Sequence, residues 1–381
     1  MTKERMKKIV AIMAAVACIG SATGCSFIDG IFGDKKAENE PIILKELTQA
    51  KNVILMIGDG MGPNQVRAGE LVKGKKLNMQ NFPYSVKVET HSASDVITDS
   101  AAAATALATG VRTENGRIGM DWDDNVLETI VDVAAGLGKR TGVITTEELY
   151  GATPMGFSSH NLSRSNTLDL LTTAVESSNV NLFFSHKFSQ TYLFNGSKYT
   201  QIKDPNDISE STEEYIYGAT FVYAEAEPMT VTKECVALDG LVLEALEYLS
   251  KDEDGFFLMT EGAHIDHGGH NSDFDYMVSE LLAFDAAVGT VLEWAKGRDD
   301  TVVIVTADHE TGGLRLSDDA TSKNIGEFGT YKWDSSGHTA ADVWCFINGA
   351  NINFANYSLG TNDRIQNIDV FKIMKSLLTG E

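Results

Sequence analysis

Short, continuous apolar runs recur along the chain, each four to six residues long and bounded by glycine or polar residues. Apolar runs of this length without alternation are typical of strands buried on both faces of a sheet. The sequence therefore predicts buried strands spread over most of the chain. The predicted strands are residues 52–57, 142–145, 255–260, 301–306 and 342–347.

Longer stretches with apolar residues at helical spacing lie between these runs. Strands that alternate with helices indicate an α/β protein with a doubly wound, mostly parallel central sheet and helices on both faces. One large domain is expected over residues 46–381. Residues 187–232 are polar and carry several turn signals, so we expect a surface insertion there. The predicted helices are residues 101–108, 126–137, 166–177, 236–250, 274–297 and 368–378.

The N-terminus has the pattern of an export signal. Four basic residues precede an apolar run over residues 9–23, which is short for a transmembrane span. The run ends in Ala22-Thr23-Gly24-Cys25, which resembles the cleavage site of a bacterial lipoprotein. We expect a signal peptide over residues 1–24, lipidation of Cys25 and a polar tether over residues 25–45. An ordinary signal peptide and an uncleaved anchor are the alternatives. Export would place the protein in the periplasm or on the cell surface.

The charge of the chain limits its partners. A net charge of −23 and a pI of about 4.7 argue against a nucleic-acid-binding surface, which would need clustered lysine and arginine. An acidic protein can still bind anionic substrates, because bound divalent cations become the largest local charges. Outside the signal region and Cys25, only Cys235 and Cys345 remain. These two cysteines could pair in an oxidising compartment or stay as buried free thiols.

Acidic and histidine residues follow three of the predicted strands, and one more histidine stands in a late loop. Five of the eight histidines fall in these windows. Each histidine alone has an ordinary structural explanation. In open α/β sheets, however, ligands bind at the carboxyl ends of the strands, so these windows are expected to meet. Mixed carboxylate and imidazole ligands suit Zn²⁺, and all-oxygen sets suit Mg²⁺. The residues concerned are Asp59, Glu261, Asp266, His267, His270, Asp308, His309 and His338.

Ser100 stands at the start of an alanine-rich stretch that predicts a helix. There it can cap the helix, and the free backbone N–H groups favour an anion beside it. A serine hydroxyl becomes a good nucleophile only with a base or a metal. No Gly-x-Ser-x-Gly motif surrounds Ser100, which favours activation by a metal.

Five motifs, occurring in order from residue 52 to about residue 345, resemble those of the alkaline phosphatase family. They are Gly58-Asp59-Gly60-Met61-Gly62, Thr98-Asp99-Ser100-Ala101, Glu261 with Asp266 and His270, Asp308-His309-Glu310-Thr311-Gly312-Gly313, and Gly337-His338-Thr339. The resemblance covers nearly all of the chain that follows the expected tether.

The resemblance implies a role for each matching residue. Ser100 is implied as the nucleophile, and Arg164, eleven residues past Thr153, as the residue that clamps phosphate oxygens. Asp99 is expected to orient its neighbours rather than bind metal. Two zinc ions and one magnesium ion are implied. Their ligands would be Asp266, His270 and His338 for one zinc ion, Asp59, Asp308 and His309 for the other, and Asp59, Glu261 and Thr153 for magnesium.

Three features depart from the family pattern. Gly151 stands where members of the family have Asp or His, which implies a magnesium site short of one protein contact and completed by water. His267 stands where some bacterial members have Lys and others His, and we expect it to contact substrate. The segment between His309 and His338 is shorter than is usual in the family. Many relatives build dimer contacts there, so the oligomeric state stays open, with a dimer as one option.

The function that this resemblance implies is hydrolysis of small-molecule phosphate monoesters by an exported enzyme, through a phosphoserine intermediate. Two divalent ions close together can hold the attacking and leaving oxygens of such an in-line displacement. The alternatives are a phosphodiesterase or another hydrolase of the same superfamily, and a non-catalytic lipoprotein that binds phosphate or metal.

Overall fold

The apolar runs that were predicted as strands form the middle of one eleven-stranded sheet. The structure is a computed structural model that describes residues 49–223, 235–349 and 364–381. The expected signal peptide and tether lie outside the described residues. In chain order the strands are β1 (Asn52–Gly58), β2 (Tyr84–Glu89), β3 (Arg140–Glu148), β4 (Leu182–His186), β5 (Thr200–Gln201), β6 (Ile216–Tyr223), β7 (Cys235–Ala237), β8 (Phe256–Gly262), β9 (Thr301–Thr306), β10 (Glu310–Thr311), β11 (Leu314–Leu316), β12 (Tyr331–Trp333), β13 (His338–Thr339), β14 (Val343–Gly349) and β15 (Arg364–Gln366).

The helices connect these strands and were largely anticipated by the apolar spacing. They are α1 (Pro63–Lys73), α2 (Ser100–Thr109), α3 (Ile130–Gly136), α4 (Ala152–Ser158), α5 (Thr167–Ser177), α6 (Leu238–Leu249), α7 (His264–His270), α8 (Phe274–Ala295) and α9 (Asn367–Thr379). Among the described residues, no helix combines the length and apolar character that a membrane crossing needs.

The strand order of the main sheet is β15-β2-β14-β9-β1-β8-β3-β4-β6-β5, and β7 pairs with β6. All of its pairs are parallel except the two that β14 makes with β2 and β9. The prediction of a mostly parallel central sheet is therefore confirmed. Every residue of β1 is buried, as expected for a central strand covered on both faces.

Helices cover both faces of this sheet. Helices α1, α6, α7 and α8 pack on one another, and α2, α3, α4, α5 and α9 form a second group. Strand β1 contacts α8 of the first group and α9 of the second, so the two groups lie on opposite faces. The doubly wound arrangement with helices on both faces that the sequence predicted is therefore confirmed.

Helix α2 is buried on every side, which explains its run of alanines. It packs closely on α4, where a Cβ added at Gly156 would lie 2.6 Å from Cβ of Ala104. Small side chains on both helices permit this approach. The contact fixes the helix that begins with Ser100 against the helix that carries Thr153.

Residues 187–223, which we expected to belong to a surface insertion, extend the edge of the central sheet. Strand β6 pairs with β4, and β5 pairs with β6. Aromatic side chains, among them Phe194, Tyr199 and Tyr217, are buried beneath the polar loops. The turn-rich composition hid these widely spaced apolar positions. Residues 224–232 lie outside the described part of the chain.

The two cysteines beyond the N-terminal region lie far apart. Cys345 is buried as a free thiol in β14, whereas Cys235 begins β7. Seven strand-to-strand steps separate these strands in the sheet, which corresponds to about 30 Å at the usual strand spacing. A disulfide needs Cα atoms within about 7 Å of each other, so the backbone of β7 lies too far from Cys345 for a disulfide between them.

Candidate metal centre and active site

The parallel strands β9, β1 and β8 bring their carboxyl ends to one edge of the sheet. Ile57 of β1 is in register with Glu261 of β8 and Thr306 of β9. Asp59 and Asp308 each follow two residues later on their own chain segments. The carboxylates that the sequence placed after separate strands therefore converge, as parallel pairing requires.

The first predicted ligand cluster consists of Asp266, His270 and His338. Asp266 and His270 are one turn apart in α7, with 3.3 Å between Oδ2 and Nε2. His338 comes from β13, and its Nε2 lies 3.5 Å from Oδ1 of Asp266 and 3.2 Å from Nε2 of His270. Three potential ligand atoms within 4.8 Å of one another could hold a metal ion.

The second predicted cluster consists of Asp59, Asp308 and His309, and all three residues are buried. Nε2 of His309 lies 3.0 Å from Oδ2 of Asp308 and 3.6 Å from Oδ1 of Asp59. The other oxygen of Asp308 accepts hydrogen bonds from the backbone N–H groups of Gly60 and His309. These bonds fix the carboxylate and leave Oδ2 facing the cluster.

The two clusters are adjacent, because the rings of His309 and His338 stack with 3.5 Å between their centroids. Thr311 also links them: its hydroxyl donates to Asp266 of one cluster and lies 3.2 Å from Nδ1 of His309 in the other. Sequence reasoning did not single out Thr311, although it stands in the motif that begins with Asp308. Its place in β10, directly after the ligands, was the available signal.

Backbone carbonyls orient the histidines of the first cluster. Nδ1 of His270 is 2.7 Å from the carbonyl oxygen of Ser336, and Nδ1 of His338 is 2.9 Å from that of Thr98. Donation from Nδ1 to a carbonyl fixes the tautomer and leaves Nε2 free to bind a metal. This pattern is typical of metal-binding histidines.

Several buried oxygens at this edge make no hydrogen bond of normal geometry among the described residues. Buried polar atoms are nearly always paired, so each exception asks for an explanation. A bound cation explains all four, because each belongs to a residue predicted as a metal ligand. They are Oδ1 of Asp59, Oδ2 of Asp308, Oε1 of Glu261 and Oγ1 of Thr153. The donor set therefore fits the metals that the sequence implied.

The electrostatics agree with this interpretation. Burial and the charge of Asp308 raise the pKa of Asp59 well above its usual value, and burial and Glu147 do the same for Glu261. The hydrogen bond to Asp266 raises the pKa of His270 to about 9, although burial opposes it. Carboxylates crowded together in a buried site repel one another, and a divalent cation relieves that repulsion.

Ser100 is the first residue of α2 and lies beside the second cluster. Asp99 caps the helix by accepting a hydrogen bond from the backbone N–H of Ala102. The capping role considered for Ser100 thus belongs to its neighbour. The hydroxyl of Ser100 lies instead 3.2 Å from Nε2 of His309.

Arg164 approaches the same helix end from the loop after α4. Its Nη1 lies 3.1 Å from Oδ2 of Asp99, and its side chain is 40% exposed. A half-exposed guanidinium beside the start of α2 can bind an incoming anion. His267, with a side chain 46% exposed, lies farther round the rim, 3.8 Å from the carboxylate of Glu147.

Two further histidines, His91 and His160, lie outside the clusters. Ring nitrogens of His91 and His160 make hydrogen bonds to the backbone carbonyls of Ser92 and Leu127. Glu147 is a residue that sequence reasoning missed. It lies at the end of β3, beside β8, and strand alternation from Thr145 was the signal that could have found it.

Comparisons with known proteins agree with the predicted family and fold. The sequence pattern of the family described as alkaline phosphatase matches residues 50–191 and 230–341. The chain is 31% identical to alkaline phosphatase 3 of Bacillus subtilis over 367 residues, which is 89% of this chain and 75% of that protein. It superimposes on alkaline phosphatase from the Antarctic bacterium TAB5 with a TM-score of 0.73 at 28% identity, covering 87% of this chain and 99% of that one. A variant of the TAB5 enzyme described with magnesium in its M3 site gives a TM-score of 0.72 at 28% identity and the same coverage.

The α/β fold carries two adjacent carboxylate–imidazole clusters beside a buried serine. Such clusters can hold cations, and the cations together with Arg164 can bind an anion. The family match covers most of the chain and includes the segments that carry both clusters. The chain belongs to the alkaline phosphatase family and is a metal-dependent, phosphatase-type hydrolase.

Proposed function

We propose that this enzyme hydrolyses phosphate monoesters with Ser100 as its nucleophile. The observation that carries the proposal is the 3.2 Å distance between Oγ of Ser100 and Nε2 of His309. His309 belongs to one ligand cluster and stacks on His338 of the other. A hydroxyl at the junction of two cation sites has the electrostatic support that a serine nucleophile needs.

The ligand types support two zinc ions and one magnesium ion. Each zinc set combines carboxylate and imidazole, whereas the magnesium set offers only oxygen. The sets are Asp266, His270 and His338 for one zinc ion, Asp59, Asp308 and His309 for the other, and Asp59, Glu261 and Thr153 for magnesium. When bound, such cations stabilise the negative charge that develops on the oxygens during the displacement.

The chain's own residues define two steps. Oγ of Ser100 loses its proton and bonds to phosphorus while the ester P–O bond breaks, and the leaving alcohol takes up a proton. Water then attacks the phosphoserine, which releases inorganic phosphate and restores the hydroxyl. Arg164 binds two phosphate oxygens through its planar guanidinium, which Lys cannot reproduce. Asp99 orients Arg164, and His267 contacts the phosphate from the rim.

The preference for monoesters rests on Arg164. A monoester presents more charged, unsubstituted oxygens to a guanidinium than a diester does, so its transition state gains more from this contact. The alternatives, a phosphodiesterase or another hydrolase of the same superfamily, act on other esters. Comparing an aryl phosphate monoester with the matching diester therefore separates the two interpretations.

The experiment combines metal analysis with turnover of purified protein before and after chelation. We expect about two zinc ions per chain, loss of hydrolysis on chelation and recovery when zinc and magnesium are restored. We also expect kcat/KM for the monoester to exceed that for the diester by about 100-fold or more. Hydrolysis that resists chelation, or equal turnover of both esters, would contradict the proposal.

We also propose that the enzyme is exported and anchored through lipid on Cys25, because residues 1–25 carry a basic region, an apolar run and a cysteine after small residues. Radiolabelled palmitate should label the wild-type chain, and Cys25→Ser should remove both the label and membrane association. Wild-type protein that stays in the cytoplasm would contradict export, and an exported chain without label would contradict lipidation alone.

A further inference from the structure

Gly151 has no side chain, and the space beside it holds another carboxylate. A Cβ added at Gly151 would lie 1.8 Å from Oε1 of Glu147 and 2.7 Å from its Cδ. Two atoms cannot approach so closely without a bond between them. The carboxylate of Glu147 therefore occupies the space that a side chain at position 151 would fill.

Local structure directs Glu147 to this place. Gly151 is the N-cap of α4, two residues before Thr153, so the Glu147 carboxylate lies at the start of the helix that carries Thr153. The backbone N–H of Glu147 donates to the hydroxyl of Thr145, at 3.1 Å, and that hydroxyl donates to Oε2 of Glu261. Thr145 and Glu261 are also register partners in the pair of β3 with β8. Glu147 and Glu261 thus come from neighbouring strands at the same end of the sheet.

Three buried oxygens at this end of the sheet make no hydrogen bond within the described part of the chain. Glu261 is completely buried and Thr153 is 1% exposed, yet Oε1 of Glu261 and Oγ1 of Thr153 have no hydrogen-bond partner there. Oδ1 of Asp59 also has no hydrogen-bond partner among the described residues. Carboxylate and hydroxyl oxygens without donors are the ligands that Mg²⁺ takes, usually together with water.

We propose that Glu147 is a protein ligand of the magnesium ion beside Glu261 and Thr153, and that it replaces the ligand missing at Gly151. The inference rests on the proposed function, because it completes the auxiliary cation site of the same active centre. It also changes what the sequence implied: the contact absent at position 151 comes from the chain four residues earlier rather than from water alone.

A purely local role for Glu147 is the competing interpretation. Its carboxylate lies 3.8 Å from Nε2 of His267, which is longer than a hydrogen bond. If Glu147 only positioned His267, then removing its charge would change substrate contacts and leave magnesium affinity intact. Magnesium affinity is therefore the measurement that separates the two roles.

The test is calorimetric titration of the zinc-loaded enzyme with Mg²⁺, without substrate. Glu147→Gln should weaken magnesium binding by about tenfold or more, as expected for the loss of a carboxylate ligand. Glu148→Gln is the matched control, because it removes the same charge one residue later, at a position whose register partner is His186 of β4. Its affinity should stay within about twofold of wild type. Wild-type protein that binds no Mg²⁺, or equal affinities for Glu147→Gln and Glu148→Gln, would overturn the proposal.

A rescue pair keeps the test decisive if Glu147→Gln fails to fold or to hold zinc. Gly151→Asp alone should not tighten magnesium binding, because the new side chain and Glu147 compete for one space. The double variant Glu147→Ala/Gly151→Asp should bind Mg²⁺ about tenfold more tightly than Glu147→Ala. Equal affinity of those two variants would contradict the assignment. If magnesium binding depends on Glu147 but the protein hydrolyses no phosphate ester, the proposed function is overturned. The assignment of Glu147 as a magnesium ligand then still stands.

Discussion

Asp99 binds Arg164 with 3.1 Å between Oδ2 and Nη1, while Oδ1 of the same carboxylate caps helix α2. The backbone N–H of Gly116 donates to both oxygens of Asp99 as well. One side chain therefore fixes the start of the helix that presents Ser100 and orients the guanidinium beside it. Asp99 thereby fixes Ser100 and Arg164, the residue proposed to bind phosphate, relative to each other.

The capping role of Asp99 can be separated from its charge. Asp99→Ala removes the cap and should lower the free energy of unfolding by about 1–2 kcal/mol, whereas Asp99→Asn keeps an acceptor and should cost a few tenths of a kcal/mol, about the difference between good caps. Urea denaturation of both variants measures this difference. Equal losses of stability in the two variants would show that Oδ1 does not act as the cap.

Arg164 should contribute to phosphate binding through geometry as well as charge. Arg164→Lys keeps the charge and loses the planar fork, so kcat/KM should fall by about tenfold, mainly through a higher KM, and Arg164→Ala should lower it further. Steady-state kinetics with a phosphate monoester measures both. Arg67→Lys, at an exposed arginine whose ion-pair partner is Glu70 of the same helix, is the matched control and should leave kinetics unchanged. A lysine variant with wild-type KM would contradict the bidentate role.

Ser100→Ala should abolish turnover and leave the metal clusters intact. Removing a nucleophile lowers kcat by about 10⁴-fold or more, because no other group can form the covalent intermediate. Since Asp99 supplies the cap and Ser100 is the first helical residue, the variant should retain wild-type stability and zinc content. Rapid quenching with labelled substrate should trap phosphoserine in the wild-type protein and none in the variant. A variant with wild-type turnover would exclude Ser100 as the nucleophile.

Much of the fold was predictable because its central strands are buried on both faces. Strands β1, β8 and β9 appear in the sequence as unbroken apolar runs. The ends of β9 match the prediction, and those of β1 and β8 differ from it by at most two residues. Strand β2 lies nearer the edge and alternates between buried and partly exposed residues, so its run of Tyr84–Glu89 gave no strong apolar signal. The short edge strand β5 and its neighbour β6 were hidden among turn residues for a similar reason.

The candidate site was predictable as a set of ligands because parallel strands bring their ends together wherever they occur in the chain. The motifs identified which residues meet, and the clusters contain the six residues expected for the two zinc ions. The residue that caps α2 and the ligands of the magnesium site were harder to predict from the sequence. Whether Asp99 or Ser100 caps α2 depends on one backbone position, and the reach of Glu147 into the space at Gly151 depends on a side-chain direction that spacing alone does not fix.

Metal removal should destabilise the whole domain, since several carboxylates are buried at one edge of the sheet. Asp59, Glu261 and Asp308 are each 6% exposed or less, and their repulsion is unscreened when no cation is bound. Binding to the native state alone stabilises it by mass action, so chelation should lower the melting temperature by about 5 °C or more. Calorimetry with and without chelator, and after zinc is restored, measures this effect. An unchanged melting temperature would contradict the metal centre even if hydrolysis were lost.

Tyr248 should make stability fall at alkaline pH. Its side chain is fully buried in α6, and its hydroxyl donates to the backbone carbonyls of Glu213 and Glu214. Burial raises the pKa of Tyr248 from 10.0 to about 12, although Arg140 opposes the shift. Folding therefore favours the neutral form of Tyr248. This contribution to stability is complete below pH 10 and is lost as pH rises from 10 towards 12.

Tyr248→Phe should cost about 1 kcal/mol at pH 8 through the lost hydrogen bonds. That gap should narrow by about 1 kcal/mol at pH 11, because only the wild-type residue can ionise. Urea denaturation at both pH values measures the gap, with Tyr192→Phe, at an exposed tyrosine, as the control. A gap that stays the same size at pH 11 would show that the ionisation of Tyr248 is not linked to unfolding.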